Sequence, residues 1–277
     1  MFALIGSRVV QGKVQTIQKA GRILNLFSVE KPEWGVSEVA AVLGLPKSSV
    51  SAMMSSLAEQ GLLRRTGDRG YRLGWGIMAM SRVLLETTRF RDEARRGMEY
   101  LVSLFGETVH LATLERGQVL YVDKMQGTRA IQVAVTAVGG KFSAHASGVG
   151  KAILAYRPWE EVVEILEREG MPARTPNTIT TLEEFREELE RVRRQGYAHD
   201  IEEGMLELCC VAAPIRDHTG EVVASMSLSV PTYRFWQSEE KYRNTLIGTV
   251  RKVSENLGYA GARYRTRWRI QREAIGG

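Results

Sequence analysis

The chain has little cysteine. Its 277 residues include only Cys209 and Cys210, which are adjacent. Neighbouring cysteines seldom close a disulfide, so a secreted disulfide scaffold is excluded and a reducing cytoplasm is expected. No apolar run approaches the ~20 residues that a membrane helix needs. The stretch Met1 to Gly12 is not apolar for long enough to predict a signal peptide. Histidine is scarce, at four residues. With the cysteines it forms no trusted metal-ligand spacing. No internal repeat is present. What remains is an ordinary globular composition, 44% apolar and 25% charged, which argues against broad disorder. The length fits one large domain or two ordinary ones.

Positive charge is unevenly spread within a formal net of +6. Residues 1–90 carry 12 Lys/Arg against 6 Asp/Glu, and residues 91–261 carry 21 against 25. The last sixteen residues carry 5 against 1. A basic N-terminal segment beside a mildly acidic body suits a nucleic-acid-binding module joined to something else.

Three short helices are legible before residue 62. The first spans Val14 to Phe27, with Ile17, Ala20, Ile23, Leu24 and Phe27 at helical spacing. The second spans Ser37 to Leu43, with Ser37 as the expected cap. Gly44 permits a tight turn. The third begins at Pro46 and runs to Gln60, with Val50, Met53, Met54 and Leu57 as its apolar stripe. Two helices across such a turn predict a helix-turn-helix. Leu62–Arg65 and Tyr71–Leu73 then read as strands around Gly67 and Gly70, a wing. The predicted DNA-binding face is Lys47, Ser48, Ser49, Ser51, Ala52, Ser55 and Ser56, with wing residues Arg64, Arg65 and Arg69. Small hydroxyl side chains allow close approach to a groove and bond phosphates or base edges. A small helical domain with a Ser-rich solvent face would show the same helix pattern; the wing favours DNA.

Gly74 to Phe105 is helical by period and unusually apolar in its first half, which suggests packing against a second copy. From Glu107 the period changes. Strands are predicted at Thr108–Ala112, Val119–Val122, Ile131–Val135, Leu206–Ala213 and Val222–Val230. Helices are predicted at Ser147–Ala155, Pro158–Arg168, Leu182–Gln195 and Glu239–Leu257. Thr181 and Glu184 form a capping-box pattern. The Glu187/Arg191 and Glu190/Arg194 spacings suit ion pairs on a solvated face. The class is α+β or α/β.

Gly148-Val149-Gly150-Lys151 fails as a phosphate loop, because His145 and Ala152 replace the required Gly and Ser/Thr. Glycines at a helix start still admit an anion to bare N–H groups, or close packing of backbone. Ser227 and Ser229 share a strand face, as do Leu208 and Cys210, and suit a ligand cavity. Cys210 with His145, His199 and Asp200 offers a nucleophile or metal reading, but cysteine in an apolar strand is usually core.

The sequence resembles the IclR family of bacterial transcriptional regulators over residues 13–258. The N-terminal blocks carrying the resemblance are Lys19-Ala20-Gly21-Arg22-Ile23-Leu24, Val36-Ser37-Glu38-Val39-Ala40, Gly44-Leu45-Pro46-Lys47-Ser48-Ser49-Val50 and Tyr71-Arg72-Leu73-Gly74. In the body they are Gly106-Glu107-Thr108-Val109-His110-Leu111-Ala112, His145 through Ala152, Gly196-Tyr197-Ala198, Asp200, Glu202-Glu203, Cys210, Ala212-Ala213-Pro214-Ile215 and Ser227-Leu228-Ser229. Their order and spacing are specific together.

The resemblance implies an α+β protein with a winged helix-turn-helix at 13–74, a linker helix at 75–96 and a GAF-like effector-binding domain at 97–261. A tail at 1–12 and a basic tail at 262–277 flank them. It implies operator DNA as partner, a homodimer or dimer of dimers, and repression changed by a small organic or aromatic acid. Its effector positions correspond to Gly148, Val149, Asp200, Cys210, Ser227 and Ser229, lined by Ile131, Ala134, Phe142 and Leu208. No catalytic residue, metal or cofactor is implied. The competing readings are an enzyme using Cys210 and a sensor acting only through protein partners. Two departures stand out. Ala52 occupies a position that is usually basic, and Gly21 one that is usually Leu. A ligand carboxylate near Asp200 would require that side chain to be protonated, or to accept from a ligand donor.

Overall fold

The computed structural model describes residues 14–67, 70–129 and 136–261. The chain divides into two units, Met1–Thr87 and Thr88–Gly277. Arg69, the strand expected at Ile131–Val135 and both terminal tails lie outside the described residues.

The first unit contains α1 (Gln15–Leu24), β1 (Trp34–Gly35), α2 (Val36–Leu43) and α3 (Lys47–Glu59). It continues with β2 (Leu63–Thr66), β3 (Gly70–Leu73) and α4 (Gly76–Thr87). Ile23 of α1, Val39 of α2, and Val50, Met54 and Leu57 of α3 meet Leu63, Tyr71 and Trp34 in one core. The apolar spacing along the three helices dictates this packing. Gly44 ends α2 at φ +64°, a conformation costly for any residue with a Cβ. The wing strands pair from Leu63↔Leu73 to Thr66↔Gly70.

Ser37 does not cap α2. The two-residue strand β1 pairs with β3, Trp34 facing Tyr71, and delivers the chain to the helix at Gly35. Glu38 Oε2 then accepts the Gly35 N–H at 2.8 Å. A strand this short leaves no alternation to read in the sequence. The apolar stretch after the wing is also not one helix: Thr88, at φ −86° and ψ 86°, separates α4 from α5 (Arg89–Phe105).

The second unit adds β4 (Thr108–Glu115), β5 (Gln118–Met125), β6 (Lys141–Ser143), α6 (Gly148–Leu154), α7 (Trp159–Glu169) and α8 (Leu182–Gln195). It ends with β7 (Ala198–Ile201), β8 (Leu208–Arg216), β9 (Val222–Pro231) and α9 (Thr232–Asn256). Six antiparallel strands form one sheet in the order β6-β5-β4-β9-β8-β7. Helices cover both faces. Met98, Leu101 and Phe105 of α5 and Phe235, Leu246 and Val250 of α9 pack on Leu111, Val211 and Leu228. On the other face Val149 and Ala152 of α6, Val162 of α7 and Phe185 and Val192 of α8 pack on Ala112, Tyr121 and Ala212. The residues of β4, β8 and β9 alternate between the two cores, and so these strands carry few exposed positions.

Thr181 caps α8 as its pattern predicts, accepting the Glu184 N–H at 3.3 Å. The charge pairs differ from the two expected ones: Arg186 meets Glu190 four residues on, and Arg191 meets Glu188 three residues back. Glu188 is buried rather than solvated, because it answers a buried lysine on α6. The last helix starts at Thr232, seven residues before its expected start, with non-helical Ser238 inside it. Only the portion after that kink carries the apolar period visible in the sequence.

Candidate functional site

Two sites emerge, one in each unit. In the first, Lys47, Ser48, Ser49, Ser51, Ala52 and Ser56 lie exposed on α3, with Ser55 half-buried. Arg64 and Arg65 are exposed on β2. Arg65 Nη2 donates to Ser55 Oγ at 3.3 Å, and so the wing strand and α3 present one continuous polar face. Arg65 also lies over Tyr71, and Arg64 over the ring of Trp75. Packing α3 by Val50, Met54 and Leu57 leaves the serines outward by helical geometry alone.

In the second unit a cavity lies between the sheet and the start of α6. Of the positions singled out from sequence, Phe142, Gly148, Val149, Asp200, Leu208, Cys210, Ser227 and Ser229 line it together. Ile131 and Ala134 lie outside the described residues. The cross-strand register explains the convergence: Asp200 faces Cys210, Cys210 faces Ser229, and Ser227 faces His110. Side chains on one face of adjacent strands lie within reach of each other.

The start of α6 closes the cavity. Ser147 Oγ accepts the Gly150 N–H at 3.2 Å, and the first N–H groups of the helix have no intrahelical partner. Gly150 has a separate reason to be glycine. A Cβ there would stand 2.2 Å from Ala144 O, a backbone atom that cannot yield. At Gly148 a Cβ would come within 3.2 Å of Ala212 and 3.7 Å of Asp200, narrowing the site itself.

Asp200 is the acidic group of the cavity. Its Oδ1 accepts the Glu203 N–H at 2.8 Å and the Gly204 N–H at 3.2 Å. Burial nevertheless outweighs these bonds and pushes its pKa up to about 7. Cys210 Sγ lies 3.1 Å from Ser229 Oγ, and burial raises the thiol well above its usual range. Ser229 Oγ lies 3.2 Å from His110 Nδ1. Burial lowers the pKa of His110 to about 3, with Lys124 adding to the effect, so the ring is neutral at pH 7.

The sequence reading did not single out His110, Tyr121, Thr136, Ser147, Gly204 or Met205, which also line the cavity. His110 and Tyr121 sit in strands whose alternation gave a signal, had the face shared with Ser227 been followed across the sheet. Thr136, Gly204 and Met205 lie in loops, where no period exists. Behind the cavity wall Lys151, 1% exposed, bonds Glu203 at 2.5 Å and Glu188 at 3.1 Å. One cation thus serves two buried carboxylates.

Of the nucleophile or metal grouping only Cys210 and Asp200 adjoin, across β7 and β8, and both histidines are engaged elsewhere. His145 Nε2 faces Pro172 O, and His199 Nε2 faces Glu239. Cys210 meets a serine rather than a base. Among the described residues no cluster of three ligating side chains occurs.

Comparison with known proteins agrees with both units. Residues 83–257 match the family model described as bacterial transcriptional regulator IclR C-terminal, and residues 16–67 match the IclR helix-turn-helix domain. The regulator XynR of Escherichia coli is 29% identical over 89% of this chain and 98% of its own length. The regulator KdgR of Dickeya chrysanthemi is 30% identical over 89% of this chain and 81% of its own. The crystal structure of Thermotoga maritima IclR, 32% identical, covers 89% of this chain and all of its own at a TM-score of 0.67. An IclR homologue from Microbacterium hydrocarbonoxydans, solved with 4-hydroxybenzoate, is 25% identical. It covers 87% of this chain and 98% of its own, with a TM-score of 0.75.

Proposed function

The chain belongs to the IclR family of bacterial transcriptional regulators, and from that premise we propose how its two units couple a small molecule to DNA. It is an effector-responsive DNA-binding regulator. In our reading residues 13–74 grip operator DNA, 75–96 connect, and 97–261 bind the effector. Lys47, Arg64, Arg65 and Arg69 neutralise phosphates, while Ser48, Ser49, Ser51, Ala52 and Ser55 approach the groove. Repression is the expected sense of regulation, as in the relative named transcriptional repressor IclR of Escherichia coli.

The observation that carries the effector reading is the cavity itself, where helix-start N–H groups, Asp200, Ser227 and Ser229 converge among apolar groups. A short organic or aromatic acid suits it: the helix-start N–H groups and the Ser227 hydroxyl donate to the carboxylate, and Phe142, Val149 and Leu208 surround the rest. The structural relative that holds 4-hydroxybenzoate supports the same class. Ligand and DNA are linked because the ligand favours one arrangement of a homodimer, or dimer of dimers, over another. A cytoplasmic location follows from that role. A non-enzymatic role is supported by Cys210, whose raised pKa and serine neighbour leave no activated thiolate.

Gel-shift titration against the chain's own upstream DNA tests the reading. Salt-sensitive, sequence-preferring binding is expected. Arg64→Ala with Arg65→Ala should weaken it and flatten the log–log salt slope by about 0.9 for each phosphate no longer neutralised. Binding that ignores both salt and sequence would overturn it.

A further inference from the structure

The cavity runs across the sheet from Asp200 to His110. Asp200 stands on β7 and His110 on β4, three strands away in the sheet. At the spacing of neighbouring strands this is about 14 Å of backbone. His110 is 3% exposed and lines the cavity. Its Nδ1 is engaged by Ser229, but among the described residues its Nε2 is buried without a hydrogen-bond partner. A buried polar nitrogen left unpaired costs free energy that a ligand atom would recover.

Its protonation follows from the chain of hydrogen bonds. Ser229 has one hydroxyl proton and two neighbours, the Cys210 sulfur and the His110 Nδ1. An imidazole nitrogen is the far better acceptor, and the protonated thiol donates in its turn to Ser229 Oγ. The ring proton therefore sits on Nε2. Lys124, directly across from His110 on β5, adds to burial in keeping the ring neutral.

We propose that His110 is the second recognition pole of the cavity: its Nε2–H, held in that tautomer by Ser229, donates to an oxygen at the effector end remote from Asp200. The inference rests on the effector reading above and narrows it to short acids bearing a second acceptor oxygen. Ser229 is then a positioning residue for His110 as well as a wall of the site.

Two measurements on the full chain test it. In side-chain nitrogen NMR of 15N-labelled protein, the His110 signals are identified by their disappearance in His110→Gln. They should show the neutral Nε2–H form throughout pH 8 to 5. An Nδ1–H form, or titration within that range, would overturn the assignment. In calorimetry, 4-hydroxybenzoate should bind about tenfold tighter than benzoate, the worth of one added hydrogen bond. His110→Leu should erase that difference, and His110→Gln, which keeps an N–H donor, should retain part of it. Ser229→Ala should shrink the difference with His110 intact, which guards against a misfolded His110 variant. A difference that survives His110→Leu, or wild type binding neither acid, would refute the proposal. If Asp200→Asn and Ser227→Ala also leave benzoate binding unchanged, the effector reading itself has failed, not only the role of His110.

Discussion

Asp200 shows how a single environment sets a ligand rule. Its pKa of about 7 lies above its ordinary value of 3.8, so folding favours the protonated acid. Between pH 4 and 7 the unfolded chain releases this proton while the folded chain keeps it. Stability therefore falls as pH rises through that window, by up to about 1.4 kcal/mol per unit, and levels off above it. Asp200→Asn should be increasingly more stable than wild type from pH 4 to 7, read by thermal melts. On the effector reading proposed above, the same proton admits a ligand carboxylate. Acid affinity should drop by up to about tenfold per unit above pH 7 in wild type and stay flat in Asp200→Asn. Lys151 obeys the opposite logic. Lys151→Met leaves Glu203 buried without a cation and Glu188 with Arg191 alone, and a destabilisation of about 3–5 kcal/mol in denaturant unfolding is expected.

Among the elements, α1 carries an uncorrected fault and α3 a constraint. Gly21 sits inside α1, and a Cβ there would meet nothing within 4 Å. Gly21→Ala should stabilise the first unit by about 0.5–1 kcal/mol, measurable as a rise in its unfolding midpoint, because no packing reason opposes it. Position 52, by contrast, is an exposed alanine on α3. A basic side chain's reach toward DNA is absent there, and Arg65, bonded to Ser55 from the wing, sets a cation beside the same helix. Glycine positions in the second unit are less forgiving. Gly150 abuts backbone, so its replacement would displace α6 and the cavity with it.

At the scale of the whole molecule, α4 exposes a run of apolar side chains. It buries no residue, and Met78, Val83 and Leu84 are each 64% exposed. So much apolar surface along one helix argues for a partner, and a second copy is the occupant that symmetry supplies. On the homodimer proposed above, Val83→Ser with Leu84→Ser should lower the mass toward that of a monomer in light-scattering chromatography. DNA affinity should drop with it, since two half-sites would no longer be held together. An unchanged mass would remove α4 from the assembly.

The sequence by itself determined most of the longer elements and the polar face of α3, but not the short strands β1, β6 and β7 or the break at Thr88. Helical spacing of Val50, Met54 and Leu57 fixes which side of α3 is buried, and the serines follow. Two-residue alternation placed Ser227 with Ser229 and Leu208 with Cys210, and the cavity contains all four. Local patterns suffice for this because they report a residue's neighbours along its own element. Tertiary structure decided what faces what across elements. His110 became a cavity residue only when β4 paired with β9, and Glu188 became a buried partner only when α8 covered Lys151. The scarce cysteine of the opening follows the same division. Sequence ruled out a disulfide scaffold, but only the pairing of β8 with β9 set Cys210 against Ser229 and so made it part of a hydrogen-bonded wall. Strand register is long-range information, carried by burial and cross-strand packing rather than by any local run of residues.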